Sequence, residues 1–290
     1  MLSFQPRFFK HSPAVSIVDL HSHSKASDGL LPAAEVAQRA IANGVSMLAL
    51  TDHDSMEGLA AARTVAEQAM IRFINGVEIS TEWGGQQVHI VGLGVDSVNA
   101  DLNAGLALIR SGRVIRARRM SAELEKVGIP GCFDGAMRYV ENTNLIGRSH
   151  FARYLVKINV CKDVHSVFDS YLVPGKPGYV THHWATVAEA VNWIMGAGGI
   201  AVVAHPGRYR FSGPELKRLF DEFKGHGGQA IEVVSGSHTP ESIEKFSRLA
   251  QKYAFFASCG SDFHGPEESR IDLGGIPPLP DELTPVWSVF

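Results

Sequence analysis

Short apolar runs rich in Val, Ile and Leu alternate with longer segments of helical period along the chain. This alternation is typical of β-strand and α-helix units that follow one another into a parallel sheet. The candidate strands are residues 15–20, 45–50, 71–79, 87–92, 200–204, 230–234 and 255–259. Seven strands joined by helices predict an α/β fold in which the sheet curves into a barrel.

One region departs from this alternation. Residues from about 100 to 170 have a helical pattern throughout, which predicts a helical cap inserted into the barrel. The segment VPGKPGYV that follows contains two prolines and two glycines, so we expect an ordered loop that leads back to the barrel. The predicted organisation is a first part of the barrel in residues 1–99, the cap subdomain in 100–175 and a second part of the barrel in 176–290.

Composition and charge limit the class of protein. Apolar residues make up 45% of the 290 residues, enough for a large core without disulfide support. Cys132, Cys161 and Cys259 are far apart and show no C-x-x-C spacing, which predicts a reducing, cytoplasmic location. No apolar run approaches the ~18 residues of a membrane span, so no membrane association is expected. A net charge of −3 predicts no stable complex with nucleic acid through overall basicity.

Histidines and carboxylates follow or occupy the predicted strands. Because the carboxyl ends of barrel strands converge on one face, residues far apart in sequence are expected to become neighbours there. Nine side chains of metal-ligating type lie at these points: His21, His23, Asp28, His53, Glu78, His89, His205, Asp262 and His264. The pattern predicts a metal centre at that face of the barrel.

The residue types narrow the kind of metal centre. His21 and His23 are two residues apart, so on a strand they point to the same side and can bind one ion. A single histidine is more often structural, but six of the thirteen histidines lie at these positions beside three carboxylates. This mixed set suits Zn²⁺, Mn²⁺ or Fe²⁺. Nine ligands are too many for one ion, so two or three ions are expected. Glu78 is the predicted bridge between them. The alternative for Glu78 is the role of a buried ion-pair partner.

Four motifs carry a resemblance to a known family: HSHSKASDG at 21–29, TDHDS at 51–55, HPGR at 205–208 and SDFH at 261–264. They resemble the motifs of the polymerase and histidinol phosphatase (PHP) superfamily of metal-dependent phosphoesterases. The resemblance implies a distorted (β/α)7 barrel of the PHP type that binds three divalent ions. It places His21, His23, Glu78 and Asp262 on a first ion, Glu78, His89 and His205 on a second, and Asp28, His53 and His264 on a third.

The third set contains Asp28 where some relatives have a histidine. A site richer in oxygen ligands favours Mn²⁺, with Zn²⁺ and Fe²⁺ as alternatives. With metal ions present, water is the expected nucleophile and no protein nucleophile is needed.

Three further segments, IGRSH at 146–150, GKPGYVTHHW at 175–184 and HPGRY at 205–209, resemble one branch of the superfamily. That branch contains nucleoside 3′,5′-bisphosphate phosphatases and the RNase AM exoribonucleases. The resemblance implies hydrolysis of the 3′-phosphate of a small nucleotide substrate, which gives the 5′-nucleotide and phosphate. It also implies 5′ to 3′ exoribonuclease action on short 5′-phosphorylated RNA ends. The alternatives are a PHP phosphatase for another phosphomonoester, such as histidinol phosphate, and a binding module with a decayed site, which missing ligands would indicate.

Cationic and histidine side chains near the motifs are candidate substrate contacts. A guanidinium group suits phosphate oxygens because its donors lie in one plane. The candidates are Arg148, His150, Lys176, His182, His183 and Arg208. The alternative role of Arg148 is structural: it would begin a helix and pair with a nearby glutamate. The alternative for His182 and His183 is that they pack the cap against the barrel.

Catalytic roles are predicted for His53, Asp54, Arg208 and His264. Arg208 or Arg148, together with the metals, would neutralise charge on the phosphoryl oxygens, and a metal-bound water or a histidine would protonate the leaving oxygen. Asp52 and Asp54 flank His53 and are expected to orient it or to take a proton.

A run of arginines lies on the first part of the cap, at Arg110, Arg113, Arg116, Arg118 and Arg119. Its spacing is compatible with a stripe that guides an RNA backbone. Because such runs are commonly solvated faces paired with acidic residues, the solvated face is the favoured interpretation.

Overall fold

A computed structural model describes residues 16–182 and 184–290 of the chain. His183, one of the predicted substrate contacts, lies outside the described residues.

The described residues form one curved sheet. Its strands are β1 (Ile17–Asp19), β2 (Val45–Leu50), β3 (Arg72–Trp83), β4 (Gln86–Leu93), β5 (Ala185–Thr186), β6 (Ile200–Val203), β7 (Ala230–Ser235) and β8 (Phe256–Gly260). The sheet order is β1-β2-β3-β4-β6-β7-β8, and the two-residue β5 pairs with β3. The backbone N–H of Leu20 donates to the carbonyl of Cys259 at 3.0 Å, which joins the first strand to the last. The predicted α/β barrel is therefore confirmed.

One strand runs against the others. β3 extends to Trp83, and Gly84 and Gly85, with φ of 58° and 74°, return the chain directly into β4. Two residues of positive φ are the geometry of a tight hairpin turn, so β4 pairs antiparallel with both β3 and β6. The prediction that Glu78 and His89 lie at the ends of parallel strands was wrong, because both lie inside strands of this hairpin.

Several helices begin at a residue whose side chain caps the first turn. The Thr186 hydroxyl accepts from the backbone N–H of Glu189, and the Ser212 hydroxyl accepts from that of Glu215, with each glutamate bonding back to the cap residue. The helices are α1 (Ala33–Ala42), α2 (Leu59–Gln68), α3 (Ala100–Ser111), α4 (Arg113–Lys126), α5 (Cys132–Met137), α6 (Arg148–Lys157), α7 (Val164–Val167), α8 (Val187–Gly196), α9 (Gly213–Gly225) and α10 (Pro240–Tyr253). The last helix is capped in the same way by Thr239, whose hydroxyl accepts from the Ser242 backbone N–H.

The helical insertion contributes to two cores. Residues of α4, α5 and α6, among them Met120, Leu124 and Phe151, form a buried cluster that belongs to the cap. In contrast, Leu102 and Leu106 of α3 belong to the main core of the barrel. The cap therefore has an apolar core of its own that begins at α4, while the predicted boundaries at residues 100 and 175 stay a prediction.

None of the helices in the described parts of the chain is long and apolar enough to cross a membrane.

Candidate metal centre

Metal-ligating side chains from distant parts of the chain meet in three clusters at one edge of the barrel. Within each cluster, the potential ligand atoms lie within 4.8 Å of one another. The clusters are His21, His23, Glu78 and Asp262; His53, Glu78 and His89; and His23, Asp28, His53 and His264. Eight of the nine predicted ligands are thus gathered by the fold, with Glu78, His23 and His53 each shared between two clusters.

The first cluster is tight and fully buried. His21 Nε2 lies 3.3 Å from Glu78 Oε2 and 3.4 Å from Asp262 Oδ1. His23 Nε2 lies 3.2 Å and 3.1 Å from the same two oxygens. Ligands bonded to one four-coordinate ion at ~2.1 Å are separated by about 3.3 Å, so these spacings fit a metal ion at the centre.

Glu78 lies between the clusters because of the hairpin. Its Oε2 atom faces His21 and His23, and it is also 3.0 Å from His53 Nδ1. Its Oε1 atom is 2.8 Å from His89 Nδ1 and 2.9 Å from His205 Nε2. Both oxygens of this carboxylate therefore face imidazole nitrogens, as the predicted bridging role requires.

The structure differs from the resemblance in how it groups His205. It brings His53, in place of His205, together with Glu78 and His89. His205 approaches only the Oε1 atom of Glu78 and lies outside the three clusters, although it lines the same cavity.

Hydrogen bonds behind the ligands fix their orientation. His21 Nδ1 lies 2.6 Å from Glu232 Oε1, and His264 Nδ1 lies 2.9 Å from the carbonyl of Asp262. Because each of these nitrogens faces an acceptor, it carries the proton, which leaves the Nε2 lone pair of both rings free for a metal ion. Two residues of the site, His205 and Asp262, have positive φ of 27° and 55°, a conformation concentrated at functional sites.

Electrostatics also favour a cation here. Burial opposes ionisation of Glu78 and Asp262, but the surrounding histidines and Arg208 outweigh it and hold the pKa of both carboxyls well below the ordinary range. Burial lowers the pKa of His53 to about 3 and that of His205 to about 4. His53 and His205 are therefore neutral, the state that binds metal ions.

Against the effect of burial, Glu232, Glu78 and Asp262 raise the pKa of His21, and Asp262 and Glu78 raise that of His23 to about 10. A bound metal ion would take the place of a proton on these two rings.

Unpaired polar atoms provide a direct test of whether the residues fit a metal. Buried polar atoms are nearly always hydrogen-bonded. Among residues 16–182 and 184–290, however, His23 Nδ1, His53 Nδ1 and Glu78 Oε2 make no hydrogen bond. All three belong to the clusters, so metal coordination accounts for their lone pairs.

A cavity of about 680 Å³ opens from the clusters, within the ~300–1,000 Å³ usual for small-molecule sites. The barrel supplies ligands such as Asp28, His53 and Asp262, and the cap supplies residues 145, 147–149 and part of 164–173. The Ser149 hydroxyl donates to Asp28 Oδ2 at 2.7 Å, which ties the cap to the third cluster.

Arginines line this cavity. Arg208 pairs with Asp262, so its guanidinium lies at the metal end. Arg113, Arg116 and Arg148 form a second group from the cap. Arg113 pairs with Asp54, whereas Arg116 donates to the Val180 carbonyl at 3.0 Å.

Arg148 donates to Gln87 Oε1 at 2.7 Å and to the Leu172 carbonyl at 3.3 Å. Burial, together with Arg148 and Arg113, lowers the pKa of Arg116 to about 9. In the described parts of the chain neither Arg116 nor Arg148 has a carboxylate partner, so the alternative in which Arg148 pairs with a glutamate is not what the structure shows.

Other predicted substrate contacts lie away from the cavity wall. His150 is buried in α6, where its Nδ1 accepts from the Gly147 backbone N–H at 3.0 Å. Lys176 is exposed on the loop after the cap. The His182 ring packs 4.3 Å from the Trp184 ring and against Gly112, which agrees with the packing alternative.

The two aspartates beside His53 support other groups. Asp52 accepts from the backbone N–H and the hydroxyl of Ser24, both at 2.7 Å, and so holds the loop between His23 and Asp28. Asp54 accepts from the Ser80 backbone N–H at 2.7 Å and pairs with Arg113. Among the described residues, neither aspartate side chain has a hydrogen bond or ion pair with His53. Their contacts support the loop and Arg113, and the catalytic role of Asp54 stays a prediction.

Two parts of the site went unpredicted. The arginine run was interpreted as a solvated face, and this was wrong for Arg113 and Arg116, each of which is only 6% exposed. Glu232, buried in β7, was also missed, although a lone carboxylate inside an apolar strand is the signal that had singled out Glu78. The arginines carry no comparable signal, because the cap covers them through contacts distant in sequence.

The barrel, the converging histidines and carboxylates, and the arginine-lined cavity define a metal-dependent phosphoesterase. The chain belongs to the PHP domain family, whose pattern matches residues 19–235. This confirms the resemblance drawn from the four motifs.

Relatives cover almost the whole chain. It is 52% identical to a 3′,5′-nucleoside bisphosphate phosphatase of Chromobacterium violaceum, over 93% of this chain and 95% of that protein. It is 40% identical to a 5′-3′ exoribonuclease of Haemophilus influenzae, over 94% and 98%. A solved structure described as an amidohydrolase from C. violaceum, with bound sulfate and no metal, superposes with a TM-score of 0.92 at 51% identity, covering 94% of this chain and 95% of that one.

Proposed function

We propose that the protein hydrolyses the 3′-phosphate of nucleoside 3′,5′-bisphosphates and releases the 5′-nucleotide and inorganic phosphate. The relative of that name, at 52% identity over 93% of the chain, supports this substrate. The observation that carries the proposal is a cavity with metal-ligand clusters at one end and a separate group of arginines, of which Arg116 and Arg148 lack a carboxylate partner among the described residues.

The arginine group distinguishes a bisphosphate from a monophosphate. A buried guanidinium without a counter-ion is costly unless an anion completes its hydrogen bonds. Arg116 and Arg148 bond only to carbonyl and amide oxygens, which leaves positive charge in the cavity. A second phosphate, attached to the same ribose as the reacting one, supplies the missing anion.

The three clusters are the proposed binding sites for three divalent ions, with Mn²⁺ favoured by Asp28 and with Zn²⁺ and Fe²⁺ as alternatives. When bound, such ions supply positive charge to the phosphoryl oxygens and lower the pKa of water. Arg208, paired with Asp262, adds a guanidinium at the same end of the cavity. Its donors are placed to stabilise charge that develops on the phosphoryl oxygens.

Short 5′-phosphorylated RNA is a second proposed substrate. Its first nucleotide also carries phosphate on both sides of the ribose, so the same two anion sites would hold it. The exoribonuclease relative at 40% identity supports this extension. The reaction would then release a 5′-nucleotide from the RNA end.

The test is a comparison of substrates with the Mn²⁺-loaded protein. We expect release of phosphate from adenosine 3′,5′-bisphosphate, with 5′-AMP as the product. We expect kcat/KM for 3′-AMP to be lower by about 10–100-fold, because it lacks the phosphate that would engage charged donors. A 5′-phosphorylated oligoribonucleotide should be cleaved and its 5′-hydroxyl counterpart spared.

The variant Asp262→Asn serves as the inactive control, since it removes one ligand of the first cluster. Equal activity on 3′-AMP and the bisphosphate would contradict the role of the second anion site. A preference for histidinol phosphate would overturn the proposed substrate.

A further inference from the structure

One wall of the cavity comes from α7 and the π-helical turn that follows it. Val164 and Phe168 are four residues apart, as are His165 and Asp169, so the four side chains lie on one face of this segment. All four line the cavity, together with Leu145 and Val173. The cap therefore adds an apolar surface to a cavity that is otherwise lined by charged and polar groups.

Two large aromatic rings line the cavity within the described residues, Phe168 and Trp184. The guanidinium carbons of Arg113 and Arg116 lie 5.0 Å and 5.2 Å from the Trp184 ring centroid, and Trp184 is only 8% exposed, so little of that ring is open to a ligand. Phe168 is half-buried and packs against the cap core on one side. On the other side it contributes to the lining of the cavity.

Arg148 lies beside this ring. Its guanidinium carbon is 5.6 Å from the Phe168 centroid, and its nitrogens are held by Gln87 and by the carbonyl of Leu172. A cation of the proposed phosphate site and a half-buried aromatic ring thus lie together in one wall of the cavity.

From this arrangement we propose that Phe168 stacks against the nucleobase of the substrate. The inference rests on the proposed function and adds the residue that recognises the base. An aromatic surface facing water in a polar cavity gains from being covered, and a flat base covers it while a phosphate reaches Arg148. Stacking is tolerant of base identity, so the contact selects nucleotides over other phosphate esters without selecting one base.

The test compares two substrates that differ only in the base: adenosine 3′,5′-bisphosphate and 1-deoxyribose 3,5-bisphosphate. We expect Phe168→Ala to lower kcat/KM for the nucleotide by about 10–100-fold, through KM, and to leave the base-free substrate unchanged. Phe168→Tyr keeps an aromatic ring and should retain the preference. Titration with 2-aminopurine riboside 5′-phosphate supplies a readout apart from activity: its fluorescence should be quenched on binding to the wild type and much less on binding to Phe168→Ala.

Phe133→Ala is the matched control. Phe133 packs against the same cap core and also has an arginine over its ring, Arg118 at 4.2 Å, but it does not line the cavity. This variant should destabilise the cap and keep the preference for the nucleotide. If Phe168→Ala lowers activity equally on both substrates, Phe168 only supports the cap and the base contact is wrong. If the wild type hydrolyses neither substrate, the proposed function itself fails.

Discussion

Glu232 and His21 form a buried pair in which the carboxylate oxygen Oε1 accepts from His21 Nδ1 at 2.6 Å. The other oxygen of Glu232 accepts from the His205 backbone N–H at 2.5 Å, at a residue whose φ is positive. One carboxylate that is only 1% exposed thus orients a ring of the first metal cluster and fixes the backbone of a second histidine. Carboxylates placed behind metal-bound histidines commonly set ring orientation and metal affinity.

Replacing Glu232 by glutamine should weaken metal binding while the fold is kept. The amide offers one acceptor where the carboxylate offers two, so its NH₂ group must face either His21 Nδ1–H or the His205 N–H. We expect Mn²⁺ affinity to fall by about 10–100-fold, measured by calorimetric titration of the metal-free protein. Glu222→Gln, which changes a glutamate bonded to the Trp83 indole, is the control and should bind Mn²⁺ normally. Unchanged affinity in Glu232→Gln would show that this carboxylate does not position the ligands.

The sequence predicted those features that depend on local pattern. Apolar runs located the seven main strands, and the H-x-H spacing and the SDFH motif located ligands that follow strands directly. Local pattern was sufficient for these, since the residues that determine each feature are neighbours in the chain.

Features set by distant contacts were not predictable in the same way. The hairpin depends on Gly84 and Gly85, whose left-handed conformation reverses a strand that the pattern treated as parallel. The burial of Arg113 depends on Asp54 and Ser80, which lie in the barrel. A run of arginines on a helix does not reveal which of them another part of the chain will cover.

Arg116 provides a test in which stability and function change in opposite directions. Arg116→Met removes a buried charge that Arg113 and Arg148 repel, so we expect the metal-free protein to melt at the same or a higher temperature. The stabilisation by added 5′-AMP should shrink, and kcat/KM for the bisphosphate should fall by about 10–100-fold. Arg119→Met, on the exposed side of the same helix, should change neither. Full stabilisation of Arg116→Met by 5′-AMP would remove this residue from the phosphate site.

Asp54→Asn should lower activity with metal retained, because Asp54 supports Arg113 and lies outside the metal clusters. The change leaves Arg113 buried without its carboxylate, and removing one partner of such a pair costs about 3–5 kcal/mol. Urea unfolding should therefore show a large loss of stability, with the Mn²⁺ content unchanged.

The double variant Asp54→Asn, Arg113→Met removes the unpaired charge and should recover much of the stability, but not the activity. Recovery of both would mean that Arg113 has no part in substrate binding. Loss of metal from Asp54→Asn would place this aspartate among the ligand supports instead.

His150 predicts a specific dependence of stability on pH. Burial lowers the pKa of this ring to about 4, and its neutral Nδ1 accepts from Gly147 at the start of α6. In the unfolded chain the ring titrates near ~6.5. Between these values the unfolded state binds the extra proton, so the contribution of His150 is complete above the unfolded pKa and is lost as the pH falls toward 4.

Unfolding of the metal-free protein in urea at several pH values measures this contribution. A shift of this size corresponds to on the order of 3 kcal/mol between the two ends of the window. His150→Gln keeps an oxygen that can accept from Gly147 and does not titrate, so its stability should fall less than that of the wild type as the pH is lowered. His226→Gln removes an exposed histidine after α9 and should follow the wild-type profile. If His150→Gln also follows the wild-type profile, protonation of His150 does not contribute to the loss of stability between these pH values.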